Sequence, residues 1–257
     1  MMADPAPDSP RAPDSAAARL AAVCERIQRA CVAANRSPQS VSLLAVSKTW
    51  DAPRVLELAA LGQHAFGENY LQEALAKIEA CANQATAGIQ WHFIGPIQSN
   101  KTRPIAEHFN WVHSIDREKI ATRLSEQRPA SQSPLQVCVQ VNVSGELSKS
   151  GCEPRETVGL ALAIARLPRL HLRGLMTIPE PTPDLALQRE RFAGLRSLHT
   201  HIKAQLGSIS PEAAARFDTL SMGMSDDLEA AIAEGATLVR VGTALFGRRP
   251  AVVRPLP

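Results

Sequence analysis

Aromatic residues are scarce in this chain: three Trp, one Tyr and six Phe among 257 residues. So few rings do not make the stacking platforms on which single-stranded nucleic acids are held. A strong charge of either sign is missing too. Twenty-eight basic residues against 25 acidic ones leave a formal charge of +3, spread along the chain, which argues against a nucleic-acid binder. No apolar run reaches the roughly 18 residues a membrane helix needs. The five cysteines, Cys24, Cys31, Cys81, Cys138 and Cys152, form no CxxC pair and read as reduced thiols of a cytoplasmic protein. Residues 1–15 carry four prolines and no apolar stretch. They read as a disordered Pro/Ala-rich leader, not as a secretory signal.

What is present is a 45% hydrophobic chain in which strand-like and helix-like segments alternate from residue 16 onward. The predicted strands are Val41–Ser47, His64–Gly67, Gln90–Ile94, Asn110–Ile115, Leu135–Val143, His171–Met176, Phe217–Leu220 and Leu238–Val241. Short apolar runs without clean alternation suit strands buried on both faces. Helices are expected over Pro53–Leu61, Tyr70–Cys81, Glu118–Glu126, Pro154–Leu167, Asp184–Leu206 and Asp226–Glu234, with an extra one before the first strand, Ala16 to Asn35. Eight strand–helix units in about 210 residues imply an α/β fold of one closed (β/α)₈ TIM barrel. The barrel is placed at residues 16–249, and residues 250–257 are a C-terminal tail. A doubly wound open sheet is the competing architecture, but no GxGxxG supports its dinucleotide-binding form.

In such barrels the chemistry sits at the C-terminal strand ends. There the chain places Ser47-Lys48-Thr49, Gly67-Glu68-Asn69-Tyr70, Ser221-Met222-Gly223-Met224-Ser225 and Arg240-Val241-Gly242-Thr243, while the strand interiors read as apolar. Lys48 follows Leu43–Val46 at the end of strand one. A lysine enclosed there has its charged form disfavoured and its amine available to attack an aldehyde; a solvated, snorkelling lysine is the plain alternative. Ser221, Gly223, Ser225, Gly242 and Thr243 offer hydroxyls and permissive backbone where TIM barrels often bind phosphate. Ser225 also suits the cap of a helix starting at Asp226. Because Asp226 and Asp227 would repel a phosphate on that helix axis, the dianion is placed nearer Gly242–Ala244. Arg240, inside strand eight, needs a partner, either a carboxylate on a neighbouring strand or a cofactor ring. His92 and His113 stand where they meet in the mouth, but nothing completes a tetrahedral metal site. His199 and His201 face apart on a helix. No metal is expected.

The segments Leu44–Thr49, Phe66–Tyr70, Trp91–Lys101, Gln140–Val143 with Ser148–Gly151, Gly174–Met176, Leu220–Asp227 and Val239–Gly247 together resemble the pyridoxal phosphate homeostasis proteins. These are stand-alone relatives of the alanine racemase N-terminal barrel, of fold type III among pyridoxal 5′-phosphate (PLP) proteins. The resemblance implies PLP as cofactor, an internal aldimine at Lys48, and phosphate contacts from Ser221, Met224, Ser225, Gly242 and Thr243. It further implies ring contacts near Asn69 and Arg240 at the pyridine nitrogen. Trp50-Asp51 departs from the usual continuation after Lys-Thr and stands at the pocket rim. The function implied is holding, buffering and delivering PLP in the cell, with apo PLP enzymes as acceptors and no catalytic residues of a committed reaction. No nucleic-acid or membrane partner is implied, and a monomer is expected.

A PLP-dependent amino-acid racemase is the first alternative. It needs acids and bases on both faces of the Cα, whereas Tyr70 is the sole tyrosine and is expected to pack at a helix start. An arginine at the ring nitrogen weakens the electron sink. A Schiff-base aldolase or isomerase without PLP is the second, leaving Asn69 and Arg240 unexplained. Lys149 is a candidate second amine for PLP transfer.

Overall fold

The computed structural model describes residues 15–82, 88–145 and 150–247. Residues 1–14, Lys149 and residues 248–257 therefore lie outside the described residues, and with them most of the leader and the tail.

Helix α1 (Ala16–Ala33) starts where the Ser15 hydroxyl accepts the N–H of Ala18 at 3.2 Å, a side-chain N-cap. Strands and helices then alternate: β1 (Ser42–Val46), α2 (Ala52–Ala60), β2 (Ala65–Glu68), α3 (Leu71–Ala82), β3 (Gln90–Phe93), α4 (Thr102–His108), β4 (Trp111–Ile115) and α5 (Glu118–Gln127). There follow β5 (Leu135–Gln140), α6 (Pro154–Ile164), β6 (Leu170–Met176), α7 (Leu185–Ile209), α8 (Pro211–Arg216), β7 (Thr219–Ser221), α9 (Leu228–Ala233), β8 (Leu238–Val241) and α10 (Thr243–Phe246). All eight strands pair in parallel in chain order, and β8 closes on β1 with Ala45 beside Val241. The expected TIM barrel and its extra N-terminal helix are thus the observed architecture.

Sequence explains the local choices. Pro53 and Pro154 lie in the first turns of α2 and α6, where a missing N–H breaks no helical bond. Glu153 and Glu156 close a reciprocal capping box at α6. Leu44, Phe66, Val112, Ile115, Val137 and Val139 are sealed from water, each contributing about 1.5–3 kcal/mol by burial. Outside the ring, α1 packs on α9 and α10, fixed by a fork of two 2.6 Å bonds from Arg26 to Glu229 and by Arg19 Nε donating to the Leu245 carbonyl at 2.7 Å.

Strand five ends earlier than expected. Beyond Gln140 only Val141 bridges, to Cys152, so Asn142 and Val143 belong to the loop. The reading of the barrel interior as apolar also needs correction. His113 on β4 meets Ser221 on β7 at 2.9 Å, and these strands are not neighbours, so the contact crosses the barrel itself. Among the described residues no helix is long and apolar enough to cross a membrane.

Candidate functional site

The ends of β1, β7 and β8 lie side by side at the mouth. Lys48, two residues past β1, is half-buried, and its amine has no hydrogen-bond or ion-pair partner among the described residues. Gly242 presses on the same strand: a Cβ there would stand 3.2 Å from the Val46 carbonyl oxygen. Trp50 stacks on Phe246, with centroids 5.7 Å apart and rings 18° from parallel, which joins the loop after β1 to α10. Lys48 rides on a tight turn in which the Trp50 N–H donates to the Ser47 carbonyl at 3.1 Å. Thr49 takes the left-handed position of this turn at φ +69°, which turn chemistry normally gives to Gly or Asn.

The loop after β7 reverses at Gly223, φ +94°, where a Cβ would come within 2.6 Å of the Ala231 Cβ; the glycine is required on both counts. Helix α9 starts at Leu228, with Asp227 in the cap position. Ser225 is therefore not its cap, and Asp226 lies outside its first turn, contrary to expectation. Asp227 Oδ1 accepts the Met224 N–H at 2.6 Å, while burial raises the Asp227 carboxyl above its usual range. Ser225 is half-buried, and Thr243 is exposed at the start of α10. Ser221 lies deeper, fully buried, with its hydroxyl shared by Arg240 and His113.

Arg240 is 3% exposed and makes no carboxylate pair among the described residues, so the ion-pair alternative is not realised there. Its Nη1 donates to the Ser221 carbonyl at 2.7 Å and to the Ser221 hydroxyl at 2.9 Å. Nη2 donates to the Thr177 carbonyl at 2.8 Å. Burial lowers its pKa to about 10, against the opposing pull of Asp227. It stays a cation at neutral pH, a donor with no acceptor function.

Beneath it runs a polar column. His113 Nε2 meets His92 Nδ1 at 2.9 Å, His92 stacks on Trp111 at 5.3 Å, and the Arg173 guanidinium lies 4.8 Å over Trp111. Desolvation brings His92 down to about 3 and, with His92 and Arg240 adding repulsion, holds His113 well below the imidazole range. Both rings are neutral. The histidines do meet as expected, but inside the barrel instead of at its mouth. Among the described residues no three His, Cys, Asp or Glu gather as metal ligands would. Tyr70 stands just before α3, 56% exposed instead of packed.

The second strand end holds what the sequence did not disclose. Lys77 on α3 is 4% exposed, and its amine donates to the Ser47 carbonyl at 2.8 Å, Glu68 Oε1 at 2.6 Å and Glu73 Oε1 at 2.7 Å. The only sequence signal is the Glu73/Lys77 spacing of four, which occurs on many solvated helices.

Asn69 Oδ1 is buried without a hydrogen-bond partner among the described residues. A buried acceptor left open is costly, and a bound donor would satisfy it; Asn69 directly follows Glu68, whose carboxylate meets Ser47 at the Lys48 turn. A free amine, an open amide, a buried guanidinium and a hydroxyl-bearing loop form a set that fits an aldehyde carrying a ring and a phosphate.

The chain matches the model of the alanine racemase N-terminal domain over residues 19–250. It is 60% identical over 233 residues to the pyridoxal phosphate homeostasis protein of Pseudomonas aeruginosa, covering 91% of this chain and 95% of that one. A solved structure of PipY from Synechococcus elongatus with PLP bound superposes with a TM-score of 0.75 at 35% identity, over 91% of this chain and all of that one. Alanine racemase from Corynebacterium glutamicum shares the fold, with a TM-score of 0.58 at 17% identity over 92% of this chain and 63% of that enzyme. This chain belongs to the alanine racemase N-terminal domain family and, within it, to the pyridoxal phosphate homeostasis proteins.

Proposed function

We propose that this protein holds PLP at the barrel mouth through Lys48 and serves PLP homeostasis, storing the cofactor and giving it up to other proteins, without a committed reaction of its own. The observation that carries the reading is the unpartnered Lys48 amine on a strand end shared with Gly242, in a chain 35% identical to PLP-bound PipY over that protein's whole length. PLP, when bound, supplies an aldehyde that condenses with a primary amine with loss of water and returns to water or another amine by the reverse path.

The residues divide the work. Lys48 offers the amine, and Asn69 and Arg240 orient the ring. Ser225, Thr243 and the Gly242 backbone receive the phosphate. Ser221 and Met224 belong to the same site: Ser221 acts through its two bonds to Arg240, and the Met224 amide through Asp227. A cationic Arg240 would donate to the ring nitrogen and has no proton acceptor to offer it. A nitrogen so held would stay unprotonated and the ring would draw electrons weakly, which disfavours carbanion chemistry. The only tyrosine, Tyr70, is largely exposed and forms no second base. These two facts weigh against the racemase alternative. The protein acts in the cytoplasm as a monomer, with apo PLP enzymes as acceptors.

Two assays on the purified PLP-loaded protein test this function: PLP transfer to an apo PLP enzyme, and deuterium exchange at Cα of L- and D-alanine. Transfer without exchange is expected. Racemisation at about one turnover per second or faster overturns the non-enzymatic reading.

A further inference from the structure

Lys48 is flanked by two peptide groups that a single charged cluster holds. The Ser47 carbonyl accepts the Lys77 amine at 2.8 Å, and the Thr49 N–H donates to Glu73 Oε1 at 2.5 Å. The same Glu73 oxygen accepts Lys77 at 2.7 Å, so one carboxylate atom joins both sides of the turn. Glu68 Oε1 binds Lys77 at 2.6 Å and the Ser47 hydroxyl at 2.5 Å, and Glu68 is itself fully buried. Three charged side chains, one cation and two carboxylates, thus hold Ser47 and Thr49, the residues on either side of Lys48.

The turn needs holding. A β-branched residue in the left-handed region is strained, and Thr49 sits there at +69°. A buried ion pair adds little to stability, whereas it can fix a single geometry. Lys48 has four rotatable side-chain bonds, and the placement of its Cα decides where the amine dwells.

We infer that Lys77 and Glu73, with Glu68, are positioning residues for Lys48: they hold the strained Ser47–Trp50 turn so that the Lys48 amine stands over the cofactor aldehyde. The inference rests on the reading of Lys48 above. The cluster touches no cofactor atom; it acts on the covalent attachment alone and leaves the ring and phosphate contacts intact.

A double-mutant cycle separates this from a general structural role. PLP affinity is measured by equilibrium dialysis for Lys77→Met in the Lys48 protein and in a Lys48→Ala background, where binding is purely non-covalent. The expected loss is about tenfold or more with Lys48 present and under about threefold without it. Equal losses in both backgrounds overturn the inference. If Lys77→Met does not fold, Glu73→Ala, on the partly exposed rim, enters the same cycle: a loss that needs Lys48 supports the inference, and equal losses overturn it. Rescue is a second readout. Because glycine adopts positive φ without strain, Thr49→Gly is expected to restore much of the affinity lost in Glu73→Ala; no restoration, or a further loss, overturns the strain argument. Should Lys48→Ala still yield a borohydride-trapped PLP adduct at another lysine, the assignment of Lys48 fails, and that result is distinct from equal losses in the cycle.

Discussion

Arg240 and Ser221, on adjacent strands, meet twice: one guanidinium nitrogen of Arg240 donates to the Ser221 carbonyl at 2.7 Å and to its hydroxyl at 2.9 Å. The hydroxyl also meets His113. Ser221→Ala removes a bond to a charged donor and is expected to lower stability by about 1.5–3 kcal/mol, read from urea midpoints. Because Ser221 acts through Arg240, the variant will weaken pyridoxal and PLP by a similar factor. A loss confined to the phosphorylated ligand would place the hydroxyl on the phosphate itself.

The proposed phosphate site consists of Ser225, Thr243 and the Gly242 backbone. Ser225→Ala and Thr243→Ala are each expected to weaken PLP binding by about ten- to a hundredfold, while pyridoxal binding changes little. Titration of both ligands by fluorescence checks this, and equal affinity of the wild type for pyridoxal and PLP would contradict it.

Gly95 lies against the residue with the open amide: a Cβ there would stand 2.1 Å from the Asn69 carbonyl oxygen. Gly95→Ala must displace Asn69 or its strand. We expect a lower Tm and weaker PLP binding together, whereas Gly194→Ala, with nothing within 4 Å of the new methyl, will leave binding unchanged.

Buried imidazoles set a pH dependence. In the unfolded chain His92, His113 and His199 titrate near 6.5, but in the fold desolvation holds His92 at about 3 and, with repulsion from Lys203, His199 at about 4. The unfolded state therefore binds more protons, so this contribution is complete above pH 6.5 and is lost as pH falls toward those values. Each group adds up to about 1.4 kcal/mol per pH unit. Glu68 and Asp227, with raised carboxyls, act in the opposite sense, so the diagnostic is a difference. His199 stacks on Phe217 at 4.4 Å; His199→Leu is expected to flatten the fall in stability between pH 6.5 and 4.5. An identical slope in wild type and variant would contradict the assignment.

The barrel was legible because its strands are short apolar runs ending in polar residues, and β8 was placed to the residue. The short elements were not. Thr102–His108 carries Pro104 and spans seven residues, Pro211–Arg216 spans six, and Thr243–Phe246 only four, too few turns for a periodic signal. Lys48 and Ser225 stood out as charged or hydroxyl residues in the loops just past apolar strands, and Arg240 as a charge inside one. Lys77 did not, since its burial is created by β1 and β2 arriving from elsewhere in the chain. The His92–His113 meeting was anticipated, but the bond from His113 to Ser221 was hidden for the same reason: it joins β4 to β7 across the barrel, which no local pattern encodes.

Everything proposed for the site depends on Lys48 carrying the cofactor, which borohydride reduction of the PLP-loaded protein followed by peptide mass mapping reads out. One reduced pyridoxyl adduct is expected on Lys48, absent from Lys48→Ala together with the visible absorption band. An adduct on Lys101 or Lys149 with Lys48 unmodified would contradict it.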